Sequence, residues 1–125
     1  MENKNNMLIE QSKYNIVNTL NSLSKAIEEG VVSKYQITQD GEGRTTIQID
    51  SSDGENRIIN SHHELEGYNS SSTIKIKKQP INKRREIVQQ LRQDGLTQTE
   101  IAKRTMVSQK TIANDIQYLK ESKSL

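Results

Sequence analysis

The sequence has no cysteine, which excludes disulfide bonds, thiolate metal sites and a cysteine nucleophile. It also has no phenylalanine or tryptophan and only one proline. No apolar run reaches the length of a membrane span, and the N-terminal segment lacks the pattern of a signal peptide. These absences predict a soluble, cytoplasmic protein, and no residue pattern calls for a cofactor.

The chain is poor in the residues that fill a protein core. Only 30% of its 125 residues are hydrophobic, and its mean hydropathy is −0.87. This length corresponds to one domain or to two very small modules. Because so little apolar surface is available, a module of this kind is marginally stable alone, and we expect it to self-associate as a homodimer.

Charge is distributed unevenly along the chain, although the net charge is only +2. Residues 1–30 carry a net charge of −1, residues 31–71 a net charge of −4, and residues 72–125 a net charge of +7. A polyanion would therefore be attracted to the C-terminal part alone. Solvated basic faces are common in proteins, so the charge pattern alone does not indicate that the chain binds nucleic acid.

Residues 5–29 have the spacing of one amphipathic helix that ends at Gly30. Positions 9, 16 and 23 form one row with a seven-residue repeat, and positions 13, 20 and 27 form a second row beside it. The six positions hold Ile9, Lys13, Ile16, Leu20, Leu23 and Ile27. The pattern is typical of a helix that packs on its own β-sheet and equally of a short self-dimerising coiled coil.

The period changes to two after Gly30. Apolar and polar residues alternate between positions 31 and 61. This pattern predicts three antiparallel strands, with hairpin turns at Asp40-Gly41 and Asp53-Gly54. Thr73–Lys77 is a candidate fourth strand, and residues 62–72 are expected to form an irregular connection. The fold class is therefore predicted to be α+β, and residues 1–78, a helix plus an antiparallel β-meander, form the expected self-association module.

After Pro80 every local signal is helical, which predicts a second domain over residues 79–125. A first helix is expected over residues 82–94, with Asn82 as its N-cap and Gly95 after its end. A second helix is expected from Thr97, in a capping box with Glu100, to about residue 104. Ser108 is the expected N-cap of a third helix over residues 108–121.

The stretch from Leu96 to Leu119 resembles the bacterial helix-turn-helix, especially the tri-helical versions in DeoR-type repressors, sigma-factor region 4 and phage or transposase DNA-binding domains. Small Ala102 stands where two helices touch, and Met106 stands at the turn position where the pattern usually has glycine. A positive φ is therefore expected at Met106, at a cost of roughly 1 kcal/mol. The residues expected to fill the small core are Ile101, Val107, Ile112 and Ile116.

The resemblance implies that the third helix enters the major groove of double-stranded DNA. The residues expected at base edges are Ser108, Gln109, Lys110, Ala113, Asn114 and Gln117. The residues expected on phosphates are Lys83, Arg84, Arg85, Gln98, Thr99, Lys103, Arg104 and Thr111. Amide side chains suit adenine, and Lys110 suits guanine or a phosphate. Asp115 is expected to serve packing or to pair with an arginine of the first helix.

The expected function is sequence-specific binding of double-stranded DNA by a small transcriptional regulator of a plasmid, a phage or a low-GC bacterium. It is expected to act as a homodimer through its N-terminal module. The alternative is an accessory protein that nucleates a conjugation, partition, replication or packaging complex at a DNA site, together with other proteins. No spacing suggests a catalytic triad or a phosphate loop, so no enzyme is expected, and His62-His63-Glu64 lacks a second cluster to complete a metal site.

Overall fold

The structure, a computed structural model, describes the backbone of residues 4–125 and the side chains of residues 16–125. Its elements are α1 (Lys4–Glu28), β1 (Val32–Gln39), β2 (Arg44–Ser51), β3 (Asn56–Leu65), β4 (Tyr68–Lys77), α2 (Ile81–Gln93), α3 (Gln98–Thr105) and α4 (Gln109–Glu121). The predicted α+β class and the order of helix, sheet and three helices are confirmed. The chain divides into two compact units, Met1–Lys75 and Ile76–Leu125.

Helix α1 ends where the sequence predicts. Gly30 has a φ of +73°, and the backbone N–H groups of Gly30 and Val31 donate to the carbonyl oxygens of Ile27 and Ala26 at 3.1 and 3.2 Å. This pair of bonds satisfies the last carbonyls of the helix and redirects the chain into β1. None of the described helices is both long enough and apolar enough to span a membrane.

The two predicted rows of α1 have different environments. Leu23 is buried and lines a groove with Ile49 and Ile58 of the sheet, whereas Leu20 and Ile27 stay more than one-third exposed. Leu23 of the first row therefore packs on the sheet, whereas Leu20 and Ile27 of the second row face solvent in part. Ile9 and Lys13, which continue the predicted seam, lie outside the described side chains.

The four strands form one antiparallel sheet in the order β1-β2-β3-β4. Tyr35 pairs with Ile49, and Ile49 pairs with Ile58, so these three side chains lie on one face, the one that shares a groove with α1. On the opposite face Asp50 and Arg57 are register partners and form an ion pair with an Nε–Oδ1 distance of 2.7 Å. The predicted hairpins at Asp40-Gly41 and Asp53-Gly54 are confirmed by this pairing.

The prediction of an irregular connection over residues 62–72 is wrong. Strand β3 continues to Leu65, a tight turn at Glu66-Gly67 follows, and β4 begins at Tyr68. Gly67 has a φ of +78°, as such a turn requires. The sequence did not predict this part of the sheet because its side chains are mostly polar. Since β4 is an edge strand exposed over most of its length, apolar and polar residues alternate little along it.

His62 and His63 are neighbours on a strand and therefore point to opposite faces of the sheet. His62 is buried, neither ring nitrogen has a hydrogen-bond partner among the described residues, and desolvation lowers its pKa. The imidazole is thus a neutral core side chain. Within the described part of the chain, no group of three or more His, Asp or Glu side chains is placed to hold a metal ion.

The turn between β1 and β2 depends on Asp40 and Gly43. The Asp40 carboxylate accepts backbone N–H bonds from Glu42 and Arg44 at 2.9 and 3.0 Å, and these bonds lower its pKa. Gly43 has a φ of +82°, and a Cβ added there would lie 2.0 Å from the carbonyl oxygen of Glu64. The close approach of β3 therefore requires glycine at this position.

Gly43→Ala should lower the free energy of unfolding by more than about 2 kcal/mol, because it combines a positive φ with a clash against backbone. Gly41→Ala is the matched control, since Gly41 has no positive φ and open space around its Cβ position. The control should change stability by less than about 0.5 kcal/mol. Urea denaturation measures both, and equal losses would contradict this account of the turn.

Candidate nucleic-acid interface

Helices α2, α3 and α4 surround one small apolar core. Its buried members are Val88, Ile101, Ala102, Ile112, Ile116 and Leu119, with Leu91, Leu96 and Val107 packed against them. The predicted core positions on α3 and α4 are confirmed. Buried Ala102 has a side chain small enough for its helix to approach the others closely.

The start of α2 differs from the prediction. The helix begins at Ile81 and its N-cap residue is Pro80, in an extended conformation, so the expected Asn82 cap is wrong. Proline before a helix removes one of the N–H groups that would otherwise need a partner. At the other end Gly95 has a φ of +89°, and the N–H of Leu96 donates to the carbonyl of Leu91, as the predicted stop requires.

The N-caps of α3 and α4 are formed by the predicted residues. The Thr97 hydroxyl accepts the backbone N–H of Glu100, and the Ser108 hydroxyl accepts the backbone N–H of Thr111, both at 3.2 Å. Each bond satisfies a donor that has no partner within the helix, and each thereby fixes the first residue of the helix. The start of α4 is therefore determined locally.

The turn between α3 and α4 is left-handed at Met106, where φ is 62° and ψ is 35°. The predicted positive φ is confirmed at a residue other than glycine. The Met106 N–H still donates to the carbonyl of Ala102 at 3.1 Å, and Thr105 is buried with its hydroxyl on the carbonyl of Ile101. These bonds hold the turn despite its local strain.

Met106→Gly should be more stable than Met106→Ala by about 1 kcal/mol, because both variants lose the same side chain contacts and only alanine retains the strain. Thermal or urea unfolding of the two variants measures this difference. The comparison avoids the packing loss that a direct comparison with the wild type would include. If alanine were the more stable of the two, the strain at this turn would be absent.

Asp115 is the most deeply buried charged group of the three-helix unit, with 1% of its side chain exposed. Its carboxylate accepts two bonds from Arg84, at 2.7 and 3.0 Å, and one from Arg85 at 3.1 Å. Burial alone would raise the pKa of Asp115, but the two guanidinium groups reverse that effect and hold the pKa below its usual value. The same hydrogen bond raises the pKa of Arg84. The predicted pairing of Asp115 with an arginine of α2 is confirmed.

Arg85 makes a second contact that sequence reasoning missed. Its guanidinium carbon lies 3.8 Å from the centroid of the Tyr118 ring, a cation–π geometry. Tyr118 follows Asp115 by three residues, so both lie on the same side of α4 one turn apart. The spacing of three residues between Asp115 and Tyr118 could have predicted this contact, because an arginine that reaches Asp115 also reaches the Tyr118 ring.

Asp115→Asn should destabilise the fold by about 3 kcal/mol at neutral pH, because it leaves two partly buried guanidinium groups without a counter-charge. In the wild type the lowered pKa means that this stability is present above the carboxyl's ordinary pKa and is lost as pH falls through the lowered one. The variant should therefore lose part of the acid dependence of unfolding as well.

Asp94→Asn is the control, because Asp94 is exposed at the end of α2 and its carboxylate accepts a hydrogen bond from the exposed side chain of Gln90. It should change stability by less than about 0.5 kcal/mol. Denaturant titrations between pH 3 and pH 7 distinguish the two cases. If the free energy of unfolding of Asp115→Asn depended on pH as it does in the wild type, the carboxylate of Asp115 would not be the group that stabilises the three-helix unit.

The residues predicted at base edges lie together on the outward arc of α4. Gln109, Lys110, Asn114 and Gln117 are exposed, and Ala113 between them is half-buried. Ser108 is exposed but its hydroxyl is engaged in capping the helix. Gln117 donates to Glu121 at 2.9 Å, and that bond would have to open before the amide could face a base.

The residues predicted on phosphates fall into two groups. Lys83, Thr99 and Lys103 are exposed on α2 and α3, whereas Gln98 and Arg104 of α3 and Thr111 of α4 are half-buried. Arg84 and Arg85 are instead only 14% and 22% exposed, with their Nε–H groups on Asp115. The geometry therefore gives these two arginines a role in positioning α4, and the phosphate contacts expected for them stay a prediction.

The comparison with known families agrees with this geometry. Residues 83–123 match a family model described as an HTH domain, which covers nearly all of α2 and the whole of α3 and α4. No curated protein and no solved structure matches the chain. The C-terminal part is thus a helix-turn-helix domain, as the sequence predicted, and this supports a DNA-binding protein.

Proposed function

We propose that the protein is a small transcriptional regulator that binds a specific site on double-stranded DNA as a homodimer. In this proposal residues 79–125 read the DNA and residues 1–78 hold two copies together. The observation that carries it is α4 itself: one face is locked into a helix-turn-helix core, and the other presents a row of exposed polar side chains at its N-terminal half.

The exposed row has the chemistry of a base reader. Gln109 and Asn114 carry amides, which offer one donor and one acceptor and so suit the N6 and N7 atoms of adenine. Lys110 lies between them on the same arc and suits guanine or a phosphate. We therefore propose that the preferred site is rich in A·T pairs at the positions that face the two amides.

Cations around the row would hold the DNA backbone. Lys83 and Lys103 are each more than half exposed, and each forms an ion pair with a glutamate one turn away in the same helix. Exposed pairs of this kind contribute little to stability, so exchanging the glutamate for a phosphate costs little. Release of counterions from DNA would then favour binding at low salt.

Asn114→Ala and Lys110→Ala should each weaken binding to the selected site by about 1–3 kcal/mol and leave binding to an unrelated duplex unchanged. Lys103→Ala is the comparison variant. It should weaken binding to both duplexes, and it should reduce the slope of log K against the logarithm of the salt concentration by about 1. The site is first obtained by selection from randomised duplexes, and affinities are measured by fluorescence anisotropy. An equal loss on both duplexes in Asn114→Ala would remove its role as a base reader.

The regulatory part of the proposal depends on where the protein binds. Mapping its sites across the DNA of its host, followed by footprinting, should place them over promoters. Sites confined to an origin of replication or transfer would instead favour an accessory protein of a DNA-processing complex. Pairing of half-sites one helical turn apart, or a multiple of it, would support the homodimer.

A further inference from the structure

Among the side chains that the structure describes, the first unit exposes more large apolar residues than it buries. Among the described residues its buried hydrophobic members are only Leu23, Ile47 and Ile59. Large apolar side chains that are 36–57% exposed are Val17, Leu20, Ile27, Val31, Tyr35, Ile37, Ile58, Leu65 and Tyr68. The shorter second unit buries six hydrophobic residues. An excess of this kind marks a surface that is covered in the functional state.

Five of the exposed side chains lie on α1 and on the adjoining edge strand. Tyr35 and Ile37 are on β1, on the sheet face that carries Ile47 and Ile49 and that α1 partly covers. The other three are on α1. We call this set the helix–edge surface, and its members are Val17, Leu20, Ile27, Tyr35 and Ile37.

The two flanks of α1 identify which side the surface occupies. One flank carries Asn18 and Ser22, which line a groove of about 480 Å³ together with Ile58 and Asn60 of β3 and Val32 of β1. Leu20 and Ile27 stand on the opposite flank of the helix, away from that groove. We take the exposed Tyr35 and Ile37 of β1 as the neighbours of this second flank on the sheet.

We propose that the helix–edge surface binds the same surface of a second copy of the chain, with the two α1 helices antiparallel about a two-fold axis near Ser24. This inference deepens the proposed function, which requires a dimer, by naming the interface. Residues 1–71 carry a net charge of −5, so a polyanion is not the partner. A two-fold interface instead needs a surface that is complementary to itself.

The residues of α1 meet that condition in an antiparallel arrangement. Leu20 and Ile27 are separated by seven residues, so Leu20 of one copy lies opposite Ile27 of the other. Ser24 lies near their midpoint, and its small side chain allows the helices to approach.

The size of the surface predicts a weak dimer. Two copies of five side chains, each about half exposed, bury on the order of 1,000 Å² in total, which is the lower end for specific interfaces. The dissociation constant of the dimer is therefore expected to lie in the micromolar range. DNA with two half-sites would stabilise the dimer by binding both copies at once.

The absence of cysteine allows a direct test by cross-linking of the full chain. Ser24→Cys should form a disulfide-linked dimer under mild oxidation, because residues near the axis come within the Cα separation of about 7 Å that a disulfide permits. Ser22→Cys, on the groove flank of the same helix, should not. A mixture of Leu20→Cys and Ile27→Cys chains should form the mixed dimer in preference to either like pair. Equal cross-linking of Ser22→Cys, or like pairs alone in the mixture, would overturn the proposed arrangement.

A second experiment separates this inference from the proposed function. The double variant Leu20→Glu, Ile27→Glu changes only exposed positions and should retain its circular dichroism, but its mass in light scattering should fall from dimer to monomer. Leu65→Glu, at a somewhat more exposed leucine of β3, should remain dimeric. A wild type that is monomeric at tens of micromolar, or a double variant that stays dimeric, would overturn the interface.

DNA binding is measured on the same samples. The monomeric double variant should bind a duplex with one half-site as the wild type does, and should lose at least tenfold in affinity on the paired site. If the interface result holds but no variant or wild type binds any duplex in a salt-sensitive manner, the proposed function fails and the interface stands. If the protein binds DNA but the double variant keeps the mass of a dimer, the proposed interface is wrong and the proposed function stands.

Discussion

The buried carboxylate of Asp115 is the interaction on which the C-terminal unit depends. Apolar contacts between small helices tolerate some rotation and sliding, whereas a carboxylate that accepts three bonds from Arg84 and Arg85 admits few orientations. The desolvation of the carboxylate is offset by the two arginines of α2 that pair with it. The outward face of α4 is therefore held in one position relative to α2, and a base reader needs that rigidity.

Much of the C-terminal unit could be predicted because its determinants are local. Thr97 and Ser108 cap their helices through backbone groups three residues away, and Met106 takes the left-handed conformation that the turn imposes. The pairing of Asp115 with an arginine of α2 could also be predicted, since a charged residue on the buried face of a helix needs a partner. The same reasoning did not identify which arginines would be used in this way, and it assigned Arg84 and Arg85 to phosphates.

The features that the sequence did not reveal depend on contacts between distant residues. Residues 62–72 form strands because β3 and β4 pair, although their polar side chains show little alternation. The seven-residue repeat of α1 is compatible with sheet packing and with self-association. Only the structure shows that Leu23 faces the sheet while Leu20 and Ile27 remain exposed. Asn82 has a good capping side chain, yet the helix begins one residue earlier because Pro80 already fixes the turn.

The central claim is that the outward arc of α4 enters the major groove. The most direct measurement attaches a DNA-cleaving metal chelate to the single cysteine of Lys120→Cys, an exposed position in the last turn of α4 outside the expected base-edge residues, and maps the cuts on a selected duplex. The account predicts cuts within a few base pairs, at the major groove of each half-site, with a two-fold pattern across the paired site. Cuts spread evenly along the duplex, or none above the level of free chelate, would contradict it.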